Sequence, residues 1–522
     1  MNKKLVNMTI IMIIVTAMAT GCVQVADPRY EEEVCITPTT TPSPEPVAQA
    51  TPTPTPSPSP IYVPEEPDYV TIGDVRYSTS LTELELIGSQ FDDQAIVPLR
   101  YMTSLTALTI RSSHVSDLSP LSDLTSLEEL RIRNNRISDI LPLSGLTNLR
   151  KLQLSGGNHD RISDISPLSR LTNLRELHLS GGVHCNISDI SPLSGLTNLN
   201  ELHLSGFFNS ISDISSLSGL TNLESLIISS NQVSDIAPLS YLTNLEELSL
   251  SGYQISDITP LSGLTNLSRL GIGLTQVSDI SPLSGLTSLI TLGLECNQIS
   301  DISPLSSLTG LERLGLGHNQ ISDISPLSGL TSLRLLGLGT VCVECITNGN
   351  RISDFSPLSS LQHLSVLELD NMGISDLSSL PNLTSLTRLS MENNRVSNLS
   401  PLSRLTNLTN LYVEGNQISD ISQLSNLTNM EVLLLRNNQI SNLLPLSSLT
   451  NMTSLDLSYN RISDISPLAD LTNLEWIILT DNQISDISPL SGLSDLQTLC
   501  LLFNDVDDWS PVEHIPDVTG RP

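Results

Sequence analysis

The phrase Ile-Ser-Asp-Ile-Ser-Pro-Leu-Ser-Gly-Leu-Thr-Asn-Leu, spelled out at residues 187–199, returns with small changes about every 22 residues from Val115 almost to the C-terminus. Aligned on its acidic position, the phrase occupies eighteen places between Asp117 and Asp508; sixteen are Asp, and Asn398 and Asn442 fill the other two. A short fixed period requires units that cannot bury an apolar face alone and do so only against their neighbours. The 522 residues therefore predict one long stack of repeats rather than several globular domains.

One unit can be followed through Leu433, Leu435, Asn438, Ile440 and Pro445. Leu-x-Leu has period two, so Leu433 and Leu435 point into a core while Val432, Leu434 and Arg436 face outward from a strand. These outward residues form the concave face. The Asn two places before the Ile recurs from Asn135 to Asn504 as a ladder of amides that can satisfy buried backbone groups. Ser-Asp ahead of Ile-Ser-Pro-Leu is a capping signal, and Pro suits the first turn of a short 3₁₀ segment. The expected fold class is an α/β solenoid: a leucine-rich repeat horseshoe with one curved parallel β-sheet of about 19 strands and 3₁₀ turns on the convex side.

This wording resembles the internalin-type, 22-residue leucine-rich repeat surface proteins of bacteria, which share Asn-x-Ile-Ser-Asp-Ile-x-Pro-Leu-x-x-Leu-Thr-Asn-Leu. The resemblance covers roughly residues 80 to 511. It implies a curved sheet that binds proteins through its concave face; the same repeat length occurs in intracellular phosphatase-regulating scaffolds. The chain departs from the internalins in showing no immunoglobulin-like cap or cell-wall sorting signal after Trp509-Ser510-Pro511, so a host-invasion role is not carried over.

Residues 1–22 read as a secretory signal: Lys3 and Lys4 precede an apolar stretch from Leu5 to Ala19 that is short for a membrane span. Ala19-Thr20-Gly21-Cys22 resembles the lipoprotein box, which implies lipidation of Cys22, although Ala19 stands where that family prefers Leu. An uncleaved N-terminal anchor and ordinary secretion are the competing readings, and all three place the repeats outside the cytoplasm. Residues 23–67 are a disordered linker rich in Thr, Pro and Ser. In extended polyproline form, at about 3.1 Å per residue, the stretch from Ile36 to Pro67 could span roughly 100 Å. It is either an inert spacer or an O-glycosylated stalk. The repeat domain is expected over residues 68–511, with a short tail at 512–522.

The net charge of −31 argues against a nucleic-acid partner. About half of that charge is the Asp of the repeat itself. Sequons at Asn382, Asn407 and Asn426 arise from the Asn-Leu-Thr wording and say little about glycosylation.

Departures from the repeat carry more information. Insertions at residues 156–160, 181–185, 206–209 and 340–350 would sit on one rim, either as binding determinants or as neutral loop growth. In the concave column between the core leucines, Gly271, Gly293, Gly315 and Gly337 predict a bare strip widened by Gly273, Gly317 and Gly339. Further along, Tyr412, Leu434, Tyr459, Trp476, Ile478 and Phe503 put aromatic and apolar groups on an otherwise polar face, a composition that suits interface anchors. Shielding of the last repeat is the alternative role for this patch.

His178 and His203 share a concave column and His159 and His184 a rim column, so no single metal site uses both pairs. Cys296 and His318 share a column in neighbouring repeats, and Cys342-Val343-Glu344-Cys345 follows in the long insertion. Three Cys and one His would suit a structural tetrahedral zinc, while disulfide formation and free thiols are the alternatives outside the cytoplasm. No other cofactor is implied. No nucleophile elbow, zinc-protease helix or phosphate loop is present, so an enzyme is not expected. The expected function is a membrane-anchored extracytoplasmic protein that recognises another protein, with a glycan as the lesser alternative. The runner-up is a structural or self-associating envelope spacer.

Overall fold

In Glu247–Ser251 the alternation of Glu and Ser with Leu248 and Leu250 buries both leucines and leaves the polar residues facing out, as period-two patterning requires. The next repeat places Leu270 and Ile272 beside them in parallel register. Repeated along the chain, this pairing makes one sheet. The computed structural model describes residues 67–155, 161–181, 186–206, 210–229, 232–252, 254–339 and 349–521. Cys22, the linker and most of the four insertions lie outside the described residues.

The parallel sheet runs in chain order from β3 (Glu83–Ile87) to β22 (Asp517–Thr519), twenty strands against the roughly nineteen expected. Each interior strand pairs with its predecessor and its successor, and the sheet is open and curved. The extra strand comes from residues 512–522. That segment, expected as a tail, buries Val512 and Ile515 and adds its strand to Thr498–Cys500. At the other end β1 (Tyr69–Ile72) and β2 (Val75–Ser78) form an antiparallel hairpin, and Val70 and Ile72 close the core.

Opposite the sheet the described repeats turn through 3₁₀ segments, except that the repeat at Ser378–Ser379 makes only a simple turn, and among the described residues there is no α-helix. Ser166–Arg170 shows the reason. Pro167 lies in its first turn, Leu168 is buried, and the Ser169 hydroxyl donates to the Ser166 carbonyl at 2.8 Å. The repeated Asp stands two places ahead of the residue that begins the turn: Asp164 Oδ1 accepts the Ser166 backbone N–H at 2.8 Å. This is an Asx turn, so the capping signal is realised one position earlier than an N-cap. The bond stabilises the carboxylate and lowers the Asp164 pKa, as it does at Asp189, Asp279 and Asp508.

Two ladders of amides tie successive turns. Asn438 Nδ2 donates to the carbonyls of Val413 and Leu435 at 3.0 Å each and to Arg436 at 3.2 Å, while its Oδ1 accepts from Ile418 N–H at 3.0 Å. The expected structural ladder is thus present. A second one, on the Asn of Leu-Thr-Asn-Leu, is exposed: Asn148 Nδ2 donates to the Thr125 carbonyl at 2.9 Å, and Asn173 repeats the bond to Thr147. Leucines and isoleucines between the sheet and the turns form one continuous core, and Phe355 is accommodated in it at an Ile position.

Candidate functional site

Down the middle of the concave face the strands align Tyr412, Leu434, Asp456, Ile478 and Cys500 in register. Trp476 lies in the neighbouring column, two residues before Ile478 and on the same face. Tyr412, Leu434, Trp476 and Ile478 are half-buried, whereas Ser454, Asp456 and Ser458 are buried on the strand between them. The result is a trough with a polar floor. Asp456 accepts the Ser458 backbone N–H at 2.8 Å there.

Tyr459 and Phe503 sit elsewhere in the repeat, at the turn that follows each strand, with φ of 56° and 57°. Asn371, Asn393, Gly415 and Asn437 occupy the same column, as suits left-handed backbone. Tyr459 nevertheless reaches the concave side, because Arg436 stands over its ring at 5.0 Å from the centroid. Phe503 is 75% exposed. The six residues thus form a concave trough with an aromatic edge rather than one column.

The glycine strip is in register as expected, from Gly271 through Gly293 and Gly315 to Gly337. It is not bare. The Glu295 carboxylate lies over it, so close that a methyl group on Gly315 would collide with Oε1. Burial pushes Glu295 up to about 7. A run of carboxyls continues from it along the concave side through Glu368, Asp370, Glu392 and Glu414. Burial raises each of them, and in Glu392, pushed up to about 8, the neighbouring Asp370 and Glu414 add to the effect. Asp370 keeps two donors, the Ser390 hydroxyl at 2.5 Å and the Glu392 backbone N–H at 2.6 Å. Arg388 stands 3.9 Å from Glu368 and 5.0 Å from the Tyr412 centroid, linking the acidic run to the trough. The acidic run escaped sequence reasoning, although its signal is visible: Glu295, Asp370, Glu392 and Glu414 each follow the second core residue of a strand.

Cys296 and His318 occupy the same left-handed turn position in adjacent repeats, with φ of 58° and 54°. Cys342 and Cys345, their expected companions, lie outside the described residues, as do His159 and His184. Burial lowers the His318 pKa. Among the described residues one group can bring three metal-ligating side chains together, and it lies elsewhere: His178, Glu201 and His203. Glu201 was missed in the sequence, where Glu-x-His on two successive strands was the available signal.

No helix among the described residues is long and apolar enough to cross a membrane. The profile of the leucine-rich repeat family, a unit of two copies, matches residues 103–145, 125–170, 172–219, 221–263, 265–307, 384–426, 428–470 and 472–513. It describes a repeat scaffold rather than a catalytic domain. No curated protein sequence matches the chain. Among solved structures, an internalin from Listeria monocytogenes is 32% identical, with 77% of this chain and 89% of that one covered and a TM-score of 0.39. A leucine-rich repeat protein of Leptospira interrogans is 22% identical over 77% of this chain and 98% of its own, with a TM-score of 0.58. A TDR receptor is 20% identical over 85% of each chain, with a TM-score of 0.52. The last two share the fold. Since the family profile spans well over half of the sequence and the described repeats stack as its architecture demands, the chain belongs to the leucine-rich repeat family.

Proposed function

We propose that this chain is an extracytoplasmic binding protein, anchored at the membrane through a lipidated Cys22, that recognises another protein with the concave trough of its C-terminal repeats. The observation that carries the reading is the placement of Tyr459 and Phe503. Left-handed backbone disfavours a bulky side chain by about 1–2 kcal/mol, and the repeats on either side use Asn393, Gly415, Asn437 and Asp481 at this position, residue types that tolerate it better. Exposed aromatic residues kept at a conformational cost serve something other than folding. Beside them Tyr412, Leu434, Trp476 and Ile478 supply apolar area in a trough, the arrangement from which protein interfaces draw their anchors. The lysines, the apolar stretch and Cys22 support the membrane location alone and do not bear on the binding trough.

The test compares capture of partners from the native cell surface by the intact chain and by a Tyr412→Ala, Trp476→Ala, Phe503→Ala variant, with mass spectrometry as the readout. Loss of a partner in the variant is the expected result. Retention of every partner moves recognition to the insertion rim or the glycine strip, and absence of partners for both forms favours an envelope spacer. Membrane anchoring is tested separately, by metabolic labelling with a fatty-acid probe: wild type should incorporate the label and Cys22→Ser should not.

A further inference from the structure

β7 (Glu176–Gly181) and β8 (Glu201–Gly206) pair in parallel register, which sets His178 directly beside His203 and Glu176 beside Glu201. The two imidazoles stack with centroids 4.1 Å apart and planes 14° from parallel. Glu201, two residues before His203 on the same face, turns its carboxylate toward both rings. Its Oε1 lies 2.8 Å from His178 Nε2 and 3.2 Å from His203 Nε2. The second approach lacks hydrogen-bond geometry, and His203 Nε2 is buried without a hydrogen-bond partner. One carboxylate oxygen therefore faces two ring nitrogens and satisfies one of them.

That arrangement leaves a polar atom poorly served as a hydrogen-bond network, but it suits a cation. The three donor atoms all lie within 4.8 Å of one another. With metal–ligand bonds of about 2.0–2.1 Å, neighbouring ligand atoms in a tetrahedron stand ~3.3 Å apart, close to both nitrogen–oxygen separations. Glu176 is engaged by Lys151 Nζ at 2.7 Å, which leaves Glu201 as the carboxylate turned to the rings. The side chains are 24–34% exposed, so the donors converge at a surface from which a further ligand can approach.

We propose that His178, His203 and Glu201 form a divalent transition-metal site on the concave face, with Zn²⁺ as the ion and at least one coordination position open toward the solvent. Two imidazoles and a carboxylate are the donor set of an open rather than a closed structural zinc centre. Calcium and magnesium, which take oxygen ligands, do not suit it. The site is distinct from the Cys296, His318, Cys342 and Cys345 set and independent of the partner-binding reading above.

The test is a Zn²⁺ titration of the chelator-stripped full chain in competition with a chromogenic chelator, carried out on a Cys342→Ser, Cys345→Ser background to remove competing thiols. One Zn²⁺ per chain should bind, and His178→Ala, His203→Ala and Glu201→Gln should each weaken binding tenfold or more while leaving the thermal midpoint in chelator unchanged. Cobalt should give the d–d bands of a low-coordinate site with no thiolate charge-transfer band. Binding that is absent in the background protein, or equal in that protein and all three variants, overturns the proposal. So does a cobalt spectrum unaffected by loss of either histidine.

Discussion

The Glu295 carboxylate occupies the space that a side chain on Gly315 would fill one strand away. The glycines at the centre of the concave sheet therefore have a definite role: they leave room for an acidic side chain to lie flat against the backbone. A groove that looks empty in one repeat is filled from the repeat before it.

This relationship separates two glycines that look alike in the sequence. Gly315→Ala meets the far end of a flexible side chain, so Glu295 swings out and the change in stability stays within about 1 kcal/mol. A methyl on Gly339 would run into the backbone of Asp370, which cannot move alone; Gly339→Ala should cost about 1–3 kcal/mol. Urea denaturation of the two variants measures the difference, and equal midpoints would refute the assignment.

Stability should pass through a maximum in mildly acidic solution. Asx-turn carboxylates such as Asp164, Asp189 and Asp279 have folded pKa values below their unfolded ones. Their contribution is present above the unfolded value and is lost as pH falls through the folded one. Glu295 and Glu392 are raised, to about 7 and about 8, so the folded state holds their protons more tightly. Their contribution is complete below the unfolded pKa of about 4.3 and is lost as pH rises toward 7–8. Urea midpoints between pH 3 and pH 9 should show both limbs, and Glu295→Gln with Glu392→Gln should flatten the alkaline one.

The two amide ladders should differ in energetic weight. Asn438→Ala leaves the Ile418 N–H buried without its partner and takes one of two amide donors from each of the Val413 and Leu435 carbonyls, which Asn416 and Asn460 still serve, at a cost of about 1–3 kcal/mol. Asn148→Ala exposes the Thr125 carbonyl to water and should cost less than about 1 kcal/mol. Chemical denaturation on the same day and buffer checks the ranking; a larger loss at Asn148 would contradict it.

At the aromatic edge, stability and binding should move in opposite directions. Phe503→Asn relieves left-handed strain and removes an exposed ring, so the thermal midpoint should rise, by the equivalent of about 1 kcal/mol. Partner affinity should fall at least tenfold. The convex Leu444, 65% exposed, is the control: Leu444→Ala should leave affinity unchanged. Binding kinetics on an immobilised partner together with calorimetry reads both quantities.

The repeat wording by itself determined the parallel sheet, the convex 3₁₀ turns, the leucine and isoleucine core and the Asn438-type ladder. Each of these depends on contacts between a repeat and its immediate neighbour, so a period of 22 residues specifies them copy after copy. The register also placed Tyr412, Leu434 and Ile478 in one column and Cys296 beside His318, because outward positions advance with the strands. What only the tertiary structure decided are relationships between side chains that do not repeat. Glu201 turned toward His178 and His203, Glu295 laid over Gly315, Tyr459 brought under Arg436, and residues 517–519 recruited as a twentieth strand all depend on the direction a side chain or terminus takes once neighbours about 4.8 Å away compete for the same space. Periodicity sets where each Cβ stands. The choice of rotamer, and with it the chemistry of the concave face, follows from which neighbouring positions are empty, charged or already filled.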